Sequence, residues 1–585
     1  MNDENHLEDS KIHKIRHSTA HLLAQAVKQL YPDVQMGIGP VIENGFYYDF
    51  LKKEPFTLED LKQITKSMKE LAKKNMAIKK TDLSKDELKN FLGNESLKKE
   101  LHDDLLAKKD TPTFYTQGDF VDLCRGPHVE NTKELKHFAL TRVSGAYWHG
   151  DSKNVQLQRI YGVAFETKEE LDAHLKMLDD AEKYNHKKIG EEMELFALFD
   201  LVGKGLPVWL PKGEILRQEV EKLALEIESK ANYVRVSTPH LARKELFEKS
   251  GHLPYYAGSM YPPMHLDDGD YYLKAMNCPI HHLIFSRRVR SYRELPLRLA
   301  EYGTVYRNEL SGTLVGLLRV RSLRMNDAHI YCTKEQIEGE VGHVLAMIKK
   351  YFELFGFKDF WFRLSLHDPA NKDKYIDEPE NWTYAEAALK EVLKKLKLTY
   401  IEATGEAAFY GPKIDVQFKN LYGREETLST VQLDFAAKTK FNLHYDDATG
   451  KQNQEVFVIH RAPLSTHERF IAFLIEHYRG KFPLWLSPLQ VKLVTVTERN
   501  NAFAETIALQ IKEKGIRAEV DGRNESIGKK VRDAIVERVN YIATIGDKEM
   551  ENSCLAIRDR DGNVERDVKV DTFMERLMDE MQRRC

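Results

Sequence analysis

The sequence predicts a multidomain protein that combines α+β and α/β architecture. Three observations carry that expectation. At 585 residues the chain is far longer than the roughly 250–300 residues at which a single core stops growing. Apolar residues recur at helical spacing in some stretches and at strand spacing in others, and the last hundred residues settle into a regular strand and helix alternation. A content of 42% hydrophobic and 31% charged residues supplies cores and excludes disordered and fibrous classes.

Along the chain, "RHSTAHLLAQAV" (residues 16–27) belongs to a helix expected around His17 to Leu30, and "GPVIENGFYYDF" reads as strands set off by Gly and Asn turns. Thr57 with Asp60 forms a capping pattern, after which Leu61, Ile64, Met68 and Leu71 fall at helical spacing. Residues 1–166 are therefore expected to form an α+β domain. A second capping box, Thr167 with Glu170, opens a segment in which Leu171, Leu175, Leu178 and Ala181 share one face, predicting a connector helix over 167–192. Residues 193–486 are richer in aromatics and prolines and form the third expected unit. From 487 to 585 the order is strand (491–497), helix to Lys514 stopped by Gly515, strand "IRAEV", helix "GKKVRDAIVERV" and strand "YIATIG", a small α/β sheet domain.

No stretch approaches the ~18 apolar residues of a membrane span. The polar start "MNDENHLEDSKIHK" carries no export segment, so a cytoplasmic location without a membrane partner is expected. Cys124, Cys278, Cys332, Cys554 and Cys585 are scattered, which argues against a disulfide framework. A net charge of −3 exerts no global pull on nucleic acid, so any such contact must use local basic surfaces.

Two pairs raise a chemical question. His17 and His21 stand four apart on one helix, and Cys124 and His128 stand four apart in "DLCRGPHVENT". By residue type and spacing they fit a zinc set, a metal-free catalytic site or a packed helix and turn.

Three central segments, "LPKGEILRQEVEKLALEIESKANYVRVSTP", "YRNELSGTLVGLLRVRSLRMNDAHIYC" and "HRAPLSTHERFIAFLIEH", resemble the three motifs of class II aminoacyl-tRNA synthetases. "SGHL", "AMNCPIHH", "RNELSGTL", "NDAHIYC", "AFYGPKID", "TVQLDF" and "IHRA" are similar to the threonyl family in particular, in its domain order and over nearly the whole chain. The resemblance implies an antiparallel-sheet catalytic core at 193–486, an editing domain at 1–166 and an anticodon-binding domain at 487–585. It implies ATP-dependent activation of L-threonine, transfer to threonine tRNA, and a homodimer built on the first motif, around Lys212 to Pro239. It begins at the editing segment, so the small N-terminal domain of many bacterial members is expected to be missing.

Activation is an in-line attack on the α-phosphate, favoured by fixed positive charge, and guanidinium forks suit that role. By resemblance Arg307, Glu309, Arg319 and Arg469 bind ATP, with Mg²⁺ assisting, and Arg307 and Arg469 are catalytic together with His252, which is implicated in proton movement during transfer. Asp327, Tyr410, Lys413 and Gln432 match residues around threonine. Cys278, His329 and His460 match the ligands of one Zn²⁺ per chain. One thiolate and two imidazoles leave an open metal position, which ligates the hydroxyl that distinguishes threonine from valine. His17, His21, Lys98, Asp122, Cys124 and His128 match the editing site for seryl-tRNA, expected to work without metal. Asn524, Glu549 and Arg558 match anticodon readers, with Lys529, Lys530 and Arg532 available for phosphates.

The chain departs from the family at Val315, Leu323, Met325 and Thr427, in place of a His, a stacking Phe and two Gln. These changes suggest a coordinated variant wall, with Arg324 adding a contact. The alternative reading is a paralogue that binds RNA without charging it. A lone zinc hydrolase built on His17 and His21 leaves the central and C-terminal domains unexplained.

Overall fold

The computed structural model describes residues 10–584. Cys585 and residues 1–9, which include most of the polar start, lie outside the described residues. The chain forms two compact units, the first ending at Asp179 and the second beginning at Asp180.

In the first unit the helix Lys11–Leu30 begins at Ser10, whose side chain accepts from the His13 N–H. The Thr57/Asp60 capping box opens the helix Leu58–Lys73, which buries Leu61, Ile64, Met68 and Leu71, as the spacing predicts. Both helices cover an antiparallel sheet whose central strands are Gly45–Leu51 and Gln156–Phe165. A smaller sheet of Ile78–Thr81, Phe114–Gln117 and Phe120–Leu123 carries the segment that leads to Cys124.

The predicted connector is two helices rather than one. Lys168–Tyr184 ends before Asn185, whose side chain accepts from Lys188 N and caps the helix His186–Glu192. His186 then packs into the second unit, with Nδ1 2.7 Å from Glu476 Oε1 and Nε2 accepting from Leu317 N at 3.1 Å.

The second unit is built on an eight-stranded sheet in the order 234–235, 297–306, 322–332, 457–462, 425–434, 413–419, 360–366, 400–404. The two outermost pairings are parallel and all the inner ones antiparallel. Strand side chains alternate between faces, and the sequence uses this. Ala328, Ile330, Ile459, Val431, Leu433, Ile414 and Val416 point into the main core with the helices Ile337–Leu354 and Pro379–Lys395. Each buried Leu, Ile or Val contributes about 1.5–3 kcal/mol there. The residues between them supply the other face. The last part is a five-stranded sheet whose first three strands, 518–521, 491–495 and 541–545, are parallel, with helices Asn501–Glu513 and Ile527–Val536 between them. It reproduces the predicted alternation.

Candidate active site

On the polar face of the large sheet, register lines up residues distant in sequence. His329 stands opposite His460, His460 opposite Gln432, and Gln432 opposite Lys413. This single cross-strand row joins two expected metal ligands to two expected threonine contacts. Asp327 lies two residues before His329 on the same face, and Cys278 enters as the first residue of the helix Cys278–Ser286.

A cavity of about 600 Å³ opens over this row, lined among others by His252, Cys278, Arg307, Asp327, Tyr410 and Arg469. Tyr410 Oη donates to Gln432 Oε1 at 2.5 Å, and Asn277 holds Asp327 at 3.0 Å. Lys413 is turned to Asp415 at 2.7 Å and, like Glu309 and Arg319, is not among the lining residues. Glu309 and Arg319 pair with each other at 2.8 Å. Among the described residues Arg307 Nε is buried without a hydrogen-bond partner, as suits a cation that awaits an anion. Arg469 donates to Leu318 O at 3.3 Å, and burial lowers its pKa.

Donor logic assigns the protons on His252. Ser250 Oγ donates to Phe247 O at 3.0 Å, so its contact with His252 Nδ1 at 2.8 Å is one in which the imidazole donates. His252 Nε2 is then the unprotonated nitrogen, 3.9 Å from Cys278 Sγ.

Cys278, His329 and His460 are all buried, with ligand atoms within 4.8 Å of one another. His460 Nε2 lies 3.0 Å from Asp434 Oδ2, and His329 Nδ1 lies 2.8 Å from His281 Nδ1. Each imidazole is thereby held at one nitrogen and keeps the other for a metal, the usual arrangement around a zinc ligand. His281 and Asp434 are partners that the sequence reading missed, although the doubled histidine of "NCPIHH" and the acid two residues after Gln432 were visible. A second donor set, His282, Asp434 and His460, shares His460 with the first.

The variant positions divide. Met325 and Thr427 line the cavity, and Thr427 Oγ1 accepts from Gln417 at 2.9 Å. Leu323 packs instead with Val305 and Val320, and Val315 is exposed. Arg324 does not join the wall. Its guanidinium pairs with Glu221 at 3.1 Å on the helix Pro211–Lys230.

In the first unit all six editing candidates converge. Lys98 pairs with Asp122 at 2.5 Å, both nearly fully buried, and Asp122 also accepts from Tyr48 Oη at 2.6 Å and lies 3.5 Å from His21 Nε2. Lys98 is thus fixed beside Asp122. The His17 and His128 rings stack at 4.2 Å, and His128 Nε2 meets Cys124 Sγ at 3.1 Å. The turn that presents His128 requires Gly126, which has φ of 70° and where a Cβ would collide with the Tyr115 hydroxyl.

Here too the protons are assigned. His17 Nδ1 faces Pro127 O at 3.2 Å and must donate, which frees Nε2. Ser18 Oγ accepts from Val129 N at 3.1 Å, and giving its own proton to His128 Nδ1 at 3.0 Å uses both its acceptor and its donor capacity. In that arrangement His128 carries its proton on Nε2, directed at Cys124. Burial pulls His17 down to about 4 and pushes the Cys124 thiol up to about 12. The four residues also meet the spacing for a metal, whose binding would displace the protons on Cys124 and His128.

The anticodon candidates do not meet at one point. Asn524 is exposed just beyond the strand 518–521, and Glu549 caps its helix by accepting from Gly546 N at 3.0 Å, near the same strand ends. Arg558 stands opposite Ile542, toward the other end of the sheet. Lys529 and Arg532 are exposed. Lys530 is not available to phosphates, because its ammonium is buried and donates to Thr495 O at 2.9 Å.

Comparison with known proteins gives three domain matches along the chain. Residues 264–478 match the class II tRNA synthetase core domain (G, H, P, S and T), 490–580 the anticodon binding domain, and 113–161 the threonyl and alanyl tRNA synthetase second additional domain. The chain is 46% identical over 570 residues to the threonine–tRNA ligase of Staphylococcus aureus, covering 97% of this chain and 88% of that protein. Among solved structures it is similar to the RNA binding domain of threonyl-tRNA synthetase from Cryptosporidium parvum (TM-score 0.65, 32% identity, 68% of this chain and 98% of that one). It is also similar to a putative threonyl-tRNA synthetase from Aeropyrum pernix (TM-score 0.61, 28% identity, 68% and 97%). The chain belongs to the threonine–tRNA ligase family of class II aminoacyl-tRNA synthetases.

Proposed function

We propose that the large cavity activates L-threonine with ATP and passes it to the 3′ end of threonine tRNA, and that the first unit hydrolyses seryl-tRNA. The observation that carries the first part is the cross-strand row of His329, His460, Gln432 and Lys413, of which the first three line the cavity. The threonine carboxylate attacks the α-phosphate and pyrophosphate leaves. Arg307 and Arg469 hold the charge that builds up on the phosphoryl oxygens. Glu309 accepts from the adenine amino group, Arg319 steadies the nucleotide, and Mg²⁺ accompanies the ATP phosphates.

Asp327, Tyr410 and Gln432 orient the amino acid, and Lys413 reaches it from Asp415. The donor set of Cys278, His329 and His460 suits Zn²⁺, which when bound supplies a Lewis-acid position for the amino group and hydroxyl of threonine. In the transfer step the terminal ribose hydroxyl attacks the activated carbonyl, AMP leaves, and the hydroxyl proton passes to His252 Nε2. Asn524, Glu549 and Arg558 read the anticodon loop, and Lys529 and Arg532 meet phosphates.

Serine keeps the hydroxyl that a metal can ligate and lacks only a methyl, worth about 10–200-fold discrimination, so a second check is needed. At the editing site water adds to the seryl ester carbonyl and gives a proton to His17 Nε2. The ester C–O bond breaks, and that proton goes to the departing ribose oxygen. The reading adopted is a metal-free site, in which His17 Nε2 is free to take the water proton and His128 is held against Cys124.

The domain limits proposed are 1–166, 167–192, 193–486 and 487–585. A homodimer is part of the same proposal, supported by the exposed apolar run Leu198, Phe199, Leu201 and Val202 ahead of the first motif. Light scattering at micromolar concentration should give twice the chain mass, and one chain's mass refutes it. No helix among the described residues is long and apolar enough to cross a membrane, and a cytoplasmic location is proposed, to be checked by cell fractionation. Threonine-dependent ATP–pyrophosphate exchange by zinc-loaded protein tests the main reading. Exchange at background level refutes it and favours the non-charging paralogue.

A further inference from the structure

Behind His329 runs a buried chain of hydrogen bonds whose protons can be assigned from one end to the other. Lys274, fully buried, donates from Nζ to Thr238 Oγ1 at 2.6 Å. Thr238 Oγ1 has one proton, which goes to Glu301 Oε2 at 2.9 Å, while Thr238 N donates to Glu301 Oε1 at 2.8 Å. Lys274 Nζ also lies 3.6 Å from Glu301 Oε1. With its oxygens facing donors, Glu301 accepts the proton of His281 Nε2 at 3.1 Å. That makes His281 Nδ1 an acceptor. His329 Nδ1, 2.8 Å away, must then be the donor, and His329 Nε2 is left with a lone pair.

We propose that His281, Glu301, Thr238 and Lys274 form a positioning relay that fixes His329 in the one tautomer able to ligate Zn²⁺ and holds its ring in place before the metal arrives. The inference rests on the zinc reading of Cys278, His329 and His460. Two features favour a built relay over incidental packing. Every member is at least nine-tenths buried, where an unmade hydrogen bond is costly. The members also come from four segments whose side chains converge behind His329: the end of the first motif, the exit of the strand 269–273, the helix Cys278–Ser286, and the strand 297–306. Glu301 stands opposite Asp327, on the ligand-bearing face of the sheet. His460 is set by a shorter device, its contact with Asp434 Oδ2. Both imidazoles are therefore anchored independently, each through the nitrogen that does not face the metal. Outer partners of this kind typically contribute 10–100-fold to metal affinity.

The test is the Zn²⁺ dissociation constant of the full-length protein, measured by chelator competition, together with the visible spectrum of the Co²⁺ form. His281→Phe keeps a ring but has no acceptor for His329. His281→Gln offers an amide oxygen to His329 and an amide N–H to Glu301. The relay predicts zinc binding weakened about 10–100-fold in His281→Phe, with a shifted Co²⁺ spectrum, and recovered to within a few-fold of wild type in His281→Gln. If the two variants bind zinc alike, both as wild type or both weakened, the relay is wrong and His281 only fills space. Should His281→Phe not fold, Glu301→Gln decides, since weakened binding supports the relay and wild-type affinity overturns it. Wild-type protein that takes up no zinc refutes the zinc reading itself and removes the relay with it, a result distinct from wild-type affinity in the variants.

Discussion

Ser18 makes a sharp test of the editing site, because it neither touches the expected substrate position nor appears among the residues the motif resemblance supplies. Its hydroxyl accepts from Val129 N at 3.1 Å and donates to His128 Nδ1 at 3.0 Å, and it is fully buried. Ser18→Ala has two consequences. Val129 N–H is left buried without a partner, at a cost of about 1–3 kcal/mol to the stability of the first unit. His128 also loses the donor that keeps its proton on Nε2, so the ring can turn or exchange tautomers and the contact with Cys124 at 3.1 Å is no longer enforced. Correctly placed acid–base groups contribute roughly 10²–10⁴-fold. Only the orientation of His128 changes, while His17 keeps its bond to Pro127 O, so the loss should sit near the lower bound, about 10²-fold, or about 2.7 kcal/mol in the barrier. The assay is deacylation of preformed seryl-tRNA, with threonine-dependent pyrophosphate exchange as a control that reads the second unit. Exchange should match wild type. Deacylation within threefold of wild type would refute the tautomer argument.

Four further outcomes are expected. Burial raises the Glu468 carboxyl to about 7 from 4.5, so the stability it contributes is fully present below about pH 4.5 and lost as pH rises through about 7, by about 3 kcal/mol in all. Glu468→Gln should melt higher than wild type at pH 8 and equally at pH 5, and a gap that does not change with pH would contradict this. Arg461 is buried against Glu228 at 2.8 Å, and among the described residues Glu228 keeps only Arg235 as a cation when Arg461 is lost. Arg461→Met should cost about 3 kcal/mol in urea unfolding, and a cost below about 1 kcal/mol would show the pair to be dispensable. Cys278→Ala should hold well under one zinc per chain by elemental analysis and lose threonine activation, whereas full zinc with full activation would show another ligand set. Asn524→Ala should lower kcat/KM for threonine tRNA about tenfold while pyrophosphate exchange, which needs no tRNA, is unchanged, and an unchanged kcat/KM would remove Asn524 from the anticodon contact.

Local chemistry was legible in the sequence and register was not. The Thr57/Asp60 cap, the four-residue spacing of His17 and His21, and the closing strand and helix alternation depend on neighbours within a few residues, and each stands where the pattern put it. The direction of a charged side chain depends on what packs against it. Lys530 looked like one of three surface cations, yet it turns inward to Thr495, and Arg324 turns to Glu221 rather than to the cavity. The break at Asn185 was hidden because charged residues flank it on both sides without a change of period. His281 and Glu301 were unreadable for another reason. Their meaning lies in a proton order that runs through four segments, and no linear motif records it.

The row formed by His329, His460, Gln432 and Lys413 also sets which changes of chain length the site can absorb. Between Asp434 and Phe457 the chain passes through the exposed turn at residues 448–453, where added residues would loop into solvent without changing which residues pair. A single residue inserted within 457–460 would instead turn His460 to the apolar face and bring an aliphatic neighbour to the metal position, since a one-residue slip exchanges the two faces of a strand. Relatives of very different length can therefore share this pocket unchanged, while two chains differing by one residue inside a strand cannot.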